Sequence, residues 1–144
     1  MESRMEQAVE KKKQGYNCAQ AVACTYCDYA KMDEPTMAAL AKTLGVGLGA
    51  TMEGTCGAIT GACIVAGLFE QQEASNKAVQ DAKYIVNEFK KRNSTITCKE
   101  LKGRETGVVL RSCEDCVRDA AEFLESCISP ILLEKRNTQT KTIR

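Results

Sequence analysis

Four dipeptides in which a cysteine directly follows a helix-capping residue constrain the fold of this chain most strongly. Asn, Thr and Ser side chains accept hydrogen bonds from the free N–H groups at a helix start, so each dipeptide predicts a helix that begins near its cysteine. Such a position also favours a thiolate, because the amino end of a helix carries partial positive charge. The dipeptides are Asn17-Cys18, Thr55-Cys56, Thr97-Cys98 and Ser112-Cys113, and at three of them Gln20, Glu100 and Asp115 complete a capping-box pattern.

The composition favours helices over strands. The chain has only two prolines and 5% aromatic residues, and its many Ala, Leu, Glu and Lys residues are good helix formers. Its 144 residues, 44% of them hydrophobic, are enough for one core but not for two comfortable domains. We therefore predict an all-α fold: a compact single-domain bundle of about five to six helices over residues 1–134, followed by a flexible polar tail at 135–144.

Helical periodicity and capping signals place the predicted helices along the chain. They are expected at about Ser3–Gln14, Cys18–Lys31, from Pro35 to about Leu44, from Cys56 onward, from about Ala78 to Arg92, and at about Cys113–Leu133, with a short additional helix from Cys98.

A glycine-rich stretch precedes the predicted central helix. Its glycines, Gly45, Gly47, Gly49 and Gly54, make a helix costly and predict a loop whose backbone bends tightly or approaches a ligand closely. The Lys-Ser/Thr ending of a phosphate-binding P-loop is missing, so no nucleotide is expected. In the helix that follows, small residues share one face and allow a neighbouring backbone to come close; they are Gly57, Ala58, Gly61 and Ala62.

Charge and hydropathy exclude several classes of protein. The net charge is +1, so no bulk field draws the protein to nucleic acid or to an anionic membrane. No apolar stretch approaches the roughly 20 residues of a membrane span, and the segment Met1–Glu6 has no apolar signal region. We therefore expect a cytoplasmic protein that binds neither nucleic acid nor membrane.

The nine cysteines and the absence of histidine narrow the chemistry. An odd number of cysteines in a reducing compartment argues against a disulfide framework. Without histidine there can be no Ser-His or Cys-His catalytic pair and no His-ligated zinc. The remaining uses of the thiols are a soft metal or an iron-sulfur cluster, redox chemistry, or small buried apolar side chains such as Cys63 and Cys127.

Two Cys-x-x-Cys pairs, Cys24 with Cys27 and Cys113 with Cys116, also match the ligand spacing of a structural zinc site. The first pair lies inside an Ala-rich helical stripe instead of the tight turn that a zinc knuckle needs, so zinc is the weaker interpretation. A helical interaction module in which the cysteines only fill the core is a further alternative.

The segments that surround the capped cysteines are Asn17-Cys18-Ala19-Gln20-Ala21-Val22, Thr55-Cys56-Gly57-Ala58-Ile59-Thr60-Gly61, Cys98 with Leu101, and Cys113 ahead of Val117. Together they resemble the redox-active protein family known by its C_GCAxxG_C_C pattern, over roughly residues 15–124. The resemblance implies a small helical protein with four characteristic cysteines and a role in redox chemistry. Related domains occur in haem proteins that also carry an iron-sulfur cluster, but a chain without histidine lacks the usual haem ligands, so no haem is expected here.

Four thiolates brought together would repel one another unless a metal neutralised them. We therefore predict an iron-sulfur cluster of the two-iron two-sulfur type, held by Cys18, Cys56, Cys98 and Cys113, with Cys116 as a substitute for Cys113. The backbone of Gly47, Gly49, Gly54 and Gly57 is predicted to line the cluster. Electron transfer or redox sensing would then require a redox partner protein, and a shared cluster or an exposed cysteine would permit a homodimer.

The alternative is a metal-free thiol-disulfide protein. In that hypothesis Cys56 is the attacking thiolate, and Cys18, Cys98 or Cys113 resolves the mixed disulfide.

Overall fold

The computed structural model describes residues 1–69 and 76–142, with side chains described as far as residue 131. Within these residues the chain forms seven α-helices and one short 3-10 helix, and no strand beyond an isolated bridge between Thr55 and Thr97. The predicted all-α fold is confirmed, with seven α-helices in the described residues where about five to six were predicted. The helices are α1 (Met5–Lys13), α2 (Cys18–Thr25), α3 (Glu34–Ala41), the 3-10 helix (Lys42–Leu44), α4 (Gly57–Phe69), α5 (Lys77–Asn93), α6 (Cys98–Lys102) and α7 (Cys113–Thr142).

Helix α2 begins as its capping signal predicts but ends earlier. Asn17 Oδ1 accepts a hydrogen bond from the Gln20 N–H at 2.9 Å, and Gln20 Oε1 accepts one from the Asn17 N–H at 3.1 Å, which is a complete capping box. The predicted end at Lys31 was wrong. After Thr25 the chain continues as successive turns with hydrogen bonds between residues three apart, and Lys31 then takes the left-handed conformation at φ 55°.

The other predicted caps are only partly present. Ser112 Oγ accepts a hydrogen bond from the Asp115 N–H at 3.1 Å at the start of α7. Thr97 precedes α6, but its side chain makes no capping bond. The other half of the capping box is also absent: the Thr97 N–H donates to Thr95 Oγ1 at 3.2 Å, and the Glu100 carboxylate accepts from that same Thr95 hydroxyl.

The small-residue face of α4 is confirmed as a close packing surface. Helix α4 packs against α2, α5 and α7. An ideal Cβ added to Gly61 would lie 2.5 Å from the carbonyl oxygen of Ala19, and one added to Gly57 would lie 3.1 Å from the Ala19 nitrogen. The absence of side chains at these two positions therefore lets the backbone of α2 approach α4 directly after Cys18.

A buried carboxylate ties the last helix to the rest of the fold. The Asp119 side chain is 2% exposed and accepts hydrogen bonds from Arg111 at 2.9 and 3.0 Å, from Arg92 at 3.0 Å and from Asn93 at 3.0 Å. These donors lie on α5 and on the loop before α7. Burial raises the pKa of Asp119, but the hydrogen bonds from Arg111, Asn93 and Arg92 outweigh it, so the pKa is below its usual range.

Helix α7 extends beyond its predicted end at Leu133, to Thr142. The predicted boundary between residues 134 and 135 therefore falls inside this helix, while residues 143–144 lie outside the described part. The flexibility of the tail stays a prediction. Among the described helices, none combines the length and the apolar character needed to cross a membrane.

Candidate functional site

The four cysteines that follow capping residues in the sequence line one cavity. This cavity has a volume of about 390 Å³ and also contacts Lys12 and Lys102. Cys18, Cys98 and Cys113 are the first residues of α2, α6 and α7, and Cys56 directly precedes α4. The starts of four helices separated in sequence thus meet at one place.

Backbone hydrogen bonds hold these helix starts together. The Cys56 N–H donates to the Ile96 carbonyl at 2.8 Å, and the Cys98 N–H donates to the Gly54 carbonyl at 3.0 Å. The Cys56 carbonyl in turn accepts from the Ile59 N–H at 3.0 Å. Cys56 is therefore itself the capping residue of α4, which begins at Gly57. The sequence pattern had predicted Thr55 as the cap and Cys56 as the first residue of the helix.

The glycine-rich loop lies directly against Cys98. Gly47 has φ 68°, and an ideal Cβ there would lie 2.7 Å from the Cys98 Cβ. The Gly49 and Gly54 N–H groups donate to the Thr43 and Gly47 carbonyls at 2.7 and 2.8 Å, so they are already engaged. Of the four predicted cofactor-binding glycines, Gly57 lines the cavity. The packing of the glycine-rich loop against Cys98 thus helps to place Cys98 at the cavity. That the N–H groups of this loop contact a cofactor stays a prediction.

Three of the four thiols are almost completely buried. Cys18, Cys56 and Cys98 are 6%, 1% and 4% exposed, whereas Cys113 is half-buried. Cys113 is the first of these thiols that a molecule entering from solvent would meet.

The sulfur atoms form two contacting pairs, Cys18 with Cys113 and Cys56 with Cys116. The contact with the Cys18 thiol, together with the Lys102 ammonium, lowers the pKa of Cys113 against the opposing effect of burial. The same contact and burial raise the pKa of Cys18. Position at a helix start therefore does not by itself give four low-pKa thiols.

The pKa is also raised at the other two cavity cysteines. The contact with Cys116 and burial raise the pKa of Cys56 well above its ordinary value, and burial raises the pKa of Cys98. The expectation that all four positions favour the thiolate was wrong for Cys18, Cys56 and Cys98. A neighbouring thiol and then burial raise the pKa of Cys18 and Cys56, and burial raises the pKa of Cys98.

Lys102 is the member of the site that the sequence analysis did not identify. Its ammonium donates to the Arg111 carbonyl at 3.4 Å and to the Cys116 sulfur at 3.9 Å, and it also contacts Cys113. Its charge lowers the pKa at each of the four cavity cysteines. The signal was its position four residues after Cys98, which puts both side chains on one face of α6.

The structure also separates Cys113 from Cys116. Cys113 lines the cavity, whereas Cys116 is fully buried behind it, against Cys56. The remaining cysteines, Cys24, Cys27, Cys63 and Cys127, do not line the cavity. The two Cys-x-x-Cys pairs that suggested zinc are therefore not joined there.

The donor atoms do not surround a single point. Within the part of the chain that the structure describes, no three Cys, Asp or Glu side chains come close enough together to hold one metal ion. The site therefore consists of two thiol pairs, the single thiol of Cys98 and the Lys102 ammonium.

Comparison with known proteins supports the same region. A family model described as "Putative redox-active protein (C_GCAxxG_C_C)" matches residues 16–127, a span that contains all four cavity cysteines. Comparisons with curated proteins and with solved structures give no significant match. Because the family model covers most of the chain, this protein belongs to the redox-active C_GCAxxG_C_C family.

Proposed function

We propose that this protein holds a two-iron two-sulfur cluster through Cys18, Cys56, Cys98 and Cys113, and that it serves in electron transfer or redox sensing. The observation that carries the proposal is that four thiols from the starts of four separate helices line one cavity. Packing alone gives no reason for this convergence, because cysteine has no special preference for the first turn of a helix.

The donor set has the chemistry that such a cluster needs. Iron-sulfur clusters are held by cysteine thiolates, and the chain has no histidine that could compete as a ligand. A two-iron cluster takes two protein thiolates at each iron, and the contacting sulfurs of Cys18 and Cys113 are one pair among the four proposed ligands. A bound cluster would supply one-electron redox chemistry at the centre of the cavity.

The surrounding residues suit an anionic group. Lys12 and Lys102 bring positive charge to the cavity, and the amino ends of α2, α6 and α7 add the partial positive charge of their backbones. Val46 and Met52 line the cavity with apolar surface, which limits the access of water to the sulfur atoms. Charge and solvent access of this kind are what a protein uses to set the potential of a cluster.

The test is anaerobic reconstitution of the protein with iron and sulfide. We expect a coloured protein that contains both elements, and we expect Cys18→Ser, Cys56→Ser, Cys98→Ser and Cys113→Ser each to lower the iron content. Cys27→Ser is the matched control, because Cys27 is half-buried but lies outside the cavity. Iron that stays bound when the cavity cysteines are replaced would contradict this ligand set, and a colourless protein with bound zinc would favour a structural metal.

A second candidate, favoured by the contact between Cys18 and Cys113, is metal-free thiol-disulfide exchange. The Cys113 thiolate would attack a disulfide substrate and release one of its sulfurs as a thiolate. Cys18 would then attack the mixed disulfide, release the second substrate thiol and leave a Cys18–Cys113 disulfide. The low pKa and partial exposure of Cys113 fit the attacking role better than the buried Cys56 does. A colourless protein with a reversible disulfide at Cys18 and Cys113, identified by peptide mass spectrometry, would support this candidate.

A further inference from the structure

The Lys102 ammonium faces the cavity thiols and, in the part of the chain that the structure describes, has no ion pair with a carboxylate. Among the described residues, no Asp or Glu lies within 4 Å of the Lys102 Nζ, and its contacts are the Arg111 carbonyl and the cysteine sulfurs. The neighbouring Lys99, on the same short helix, has ion pairs with Glu53 at 3.1 Å and with Glu105 at 3.5 Å. The charge of Lys99 is therefore balanced at the surface, whereas that of Lys102 is directed at the site.

The position of Lys102 is fixed from two sides. It lies on α6 one turn after Cys98, and its ammonium reaches across to the carbonyl of Arg111 at the entrance to α7. Its side chain is half-buried and lines the cavity. A half-buried ammonium acts more strongly on nearby charge than an exposed one, because less water screens it.

Lys12 is the second cation at the cavity, and it provides an internal comparison. It also lines the cavity and is half-buried. The Lys102 ammonium lies 3.9 Å from the Cys116 sulfur and also contacts Cys113, whereas among the described residues the Lys12 ammonium has no hydrogen bond to a cysteine. The two lysines should therefore affect a charge in the cavity to different degrees.

We infer that the positive charge of Lys102 raises the reduction potential of a cluster bound in the cavity. This inference rests on the proposed function. Reduction adds one electron, and so one negative charge, to the group in the cavity. An adjacent ammonium stabilises the reduced form more than the oxidised form, and loss of the ammonium therefore lowers the potential.

The experiment is an anaerobic redox titration of the reconstituted protein, followed by visible spectroscopy. We expect Lys102→Met to titrate at a lower potential than wild type, Lys102→Arg to stay near wild type because it keeps the charge, and Lys12→Met to shift less than Lys102→Met. Lys83→Met is the control for loss of one positive charge, since Lys83 is exposed on α5 and does not line the cavity.

Lys102→Gln removes the charge but keeps an amide that can donate to the Arg111 carbonyl, so it replaces Lys102→Met if that variant does not fold. A charge-removed variant that titrates at the wild-type potential, in a protein that holds the cluster, overturns the inference and leaves the proposed function intact. A wild-type protein that takes up no iron overturns the proposed function and this inference with it.

Discussion

Replacing Gly61 by alanine is expected to destabilise the protein, although alanine is the better helix former. The new Cβ would lie 2.5 Å from the Ala19 carbonyl oxygen and 3.0 Å from the Ala19 Cα, both backbone atoms of α2. Ordinary contact begins at about 3.4 Å, so α2 and α4 would have to separate by about 0.9 Å. Overpacking of this kind costs about 1–3 kcal/mol, and the helix propensity of alanine returns about 1 kcal/mol.

Because the contact is with backbone, we place the cost near the upper end and expect Gly61→Ala to lower the free energy of unfolding by about 1–2 kcal/mol. Urea denaturation measures this change. Since Ala19 directly follows Cys18, the same displacement should also lower the iron retained after reconstitution.

Gly67→Ala is the matched control within the same helix. Gly67 is exposed, and its added Cβ would meet no atom within 4 Å, so we expect this variant to be more stable than wild type by up to about 1 kcal/mol. The two substitutions should therefore change stability in opposite directions. A Gly61→Ala protein as stable as wild type would refute the argument that direct backbone packing of α2 on α4 positions Cys18.

Three further predictions follow from local contacts. Asn17→Ala removes the capping box of α2 and should lower the free energy of unfolding by about 1 kcal/mol in urea denaturation, whereas alanine at the exposed Gln14 should have little effect. Asp119→Asn should lower the free energy of unfolding by about 2 kcal/mol. Because the folded pKa of Asp119 lies below its unfolded value, the stability that the carboxylate contributes is present above about pH 4 and is lost as the pH falls through the folded pKa. The variant should therefore lose less stability in acid than wild type does. In the metal-free protein, Cys113 should be alkylated at lower pH than Cys27, because contact with Cys18 and Lys102 lowers the pKa of Cys113 while burial raises that of Cys27; equal pH midpoints by peptide mass spectrometry would contradict this difference.

The helix starts could be predicted from the sequence because the capping signals are local. The pattern Asn17-x-x-Gln20 forms the expected capping box, and the small residues of α4 face the backbone of α2 as expected. Thr97 shows the limit of such patterns, since the Glu100 carboxylate accepts a hydrogen bond from Thr95, which is equally near in the sequence. The end of α2 also depends on the turns that lead to Lys31, which a periodic apolar stripe does not predict.

The electrostatics of the site could not be predicted from capping signals. The field at a helix start is local. In contrast, the contact with Cys116 and the burial that raise the pKa of Cys56, and the burial that raises the pKa of Cys98, depend on how distant elements pack. The pairing of Cys18 with Cys113 joins the starts of α2 and α7, and Lys102 contacts both α6 and the entrance to α7. These relations arise only when the helices are assembled.

The most direct test of the central claim is the amount of iron and acid-labile sulfide in protein purified without oxygen. A two-iron two-sulfur cluster on the four cavity cysteines would give about two irons and two sulfides per chain. We expect both to be lost when Cys56 is replaced by serine and kept when Cys27 is replaced. Wild-type protein that binds neither element, even after reconstitution, would contradict the claim.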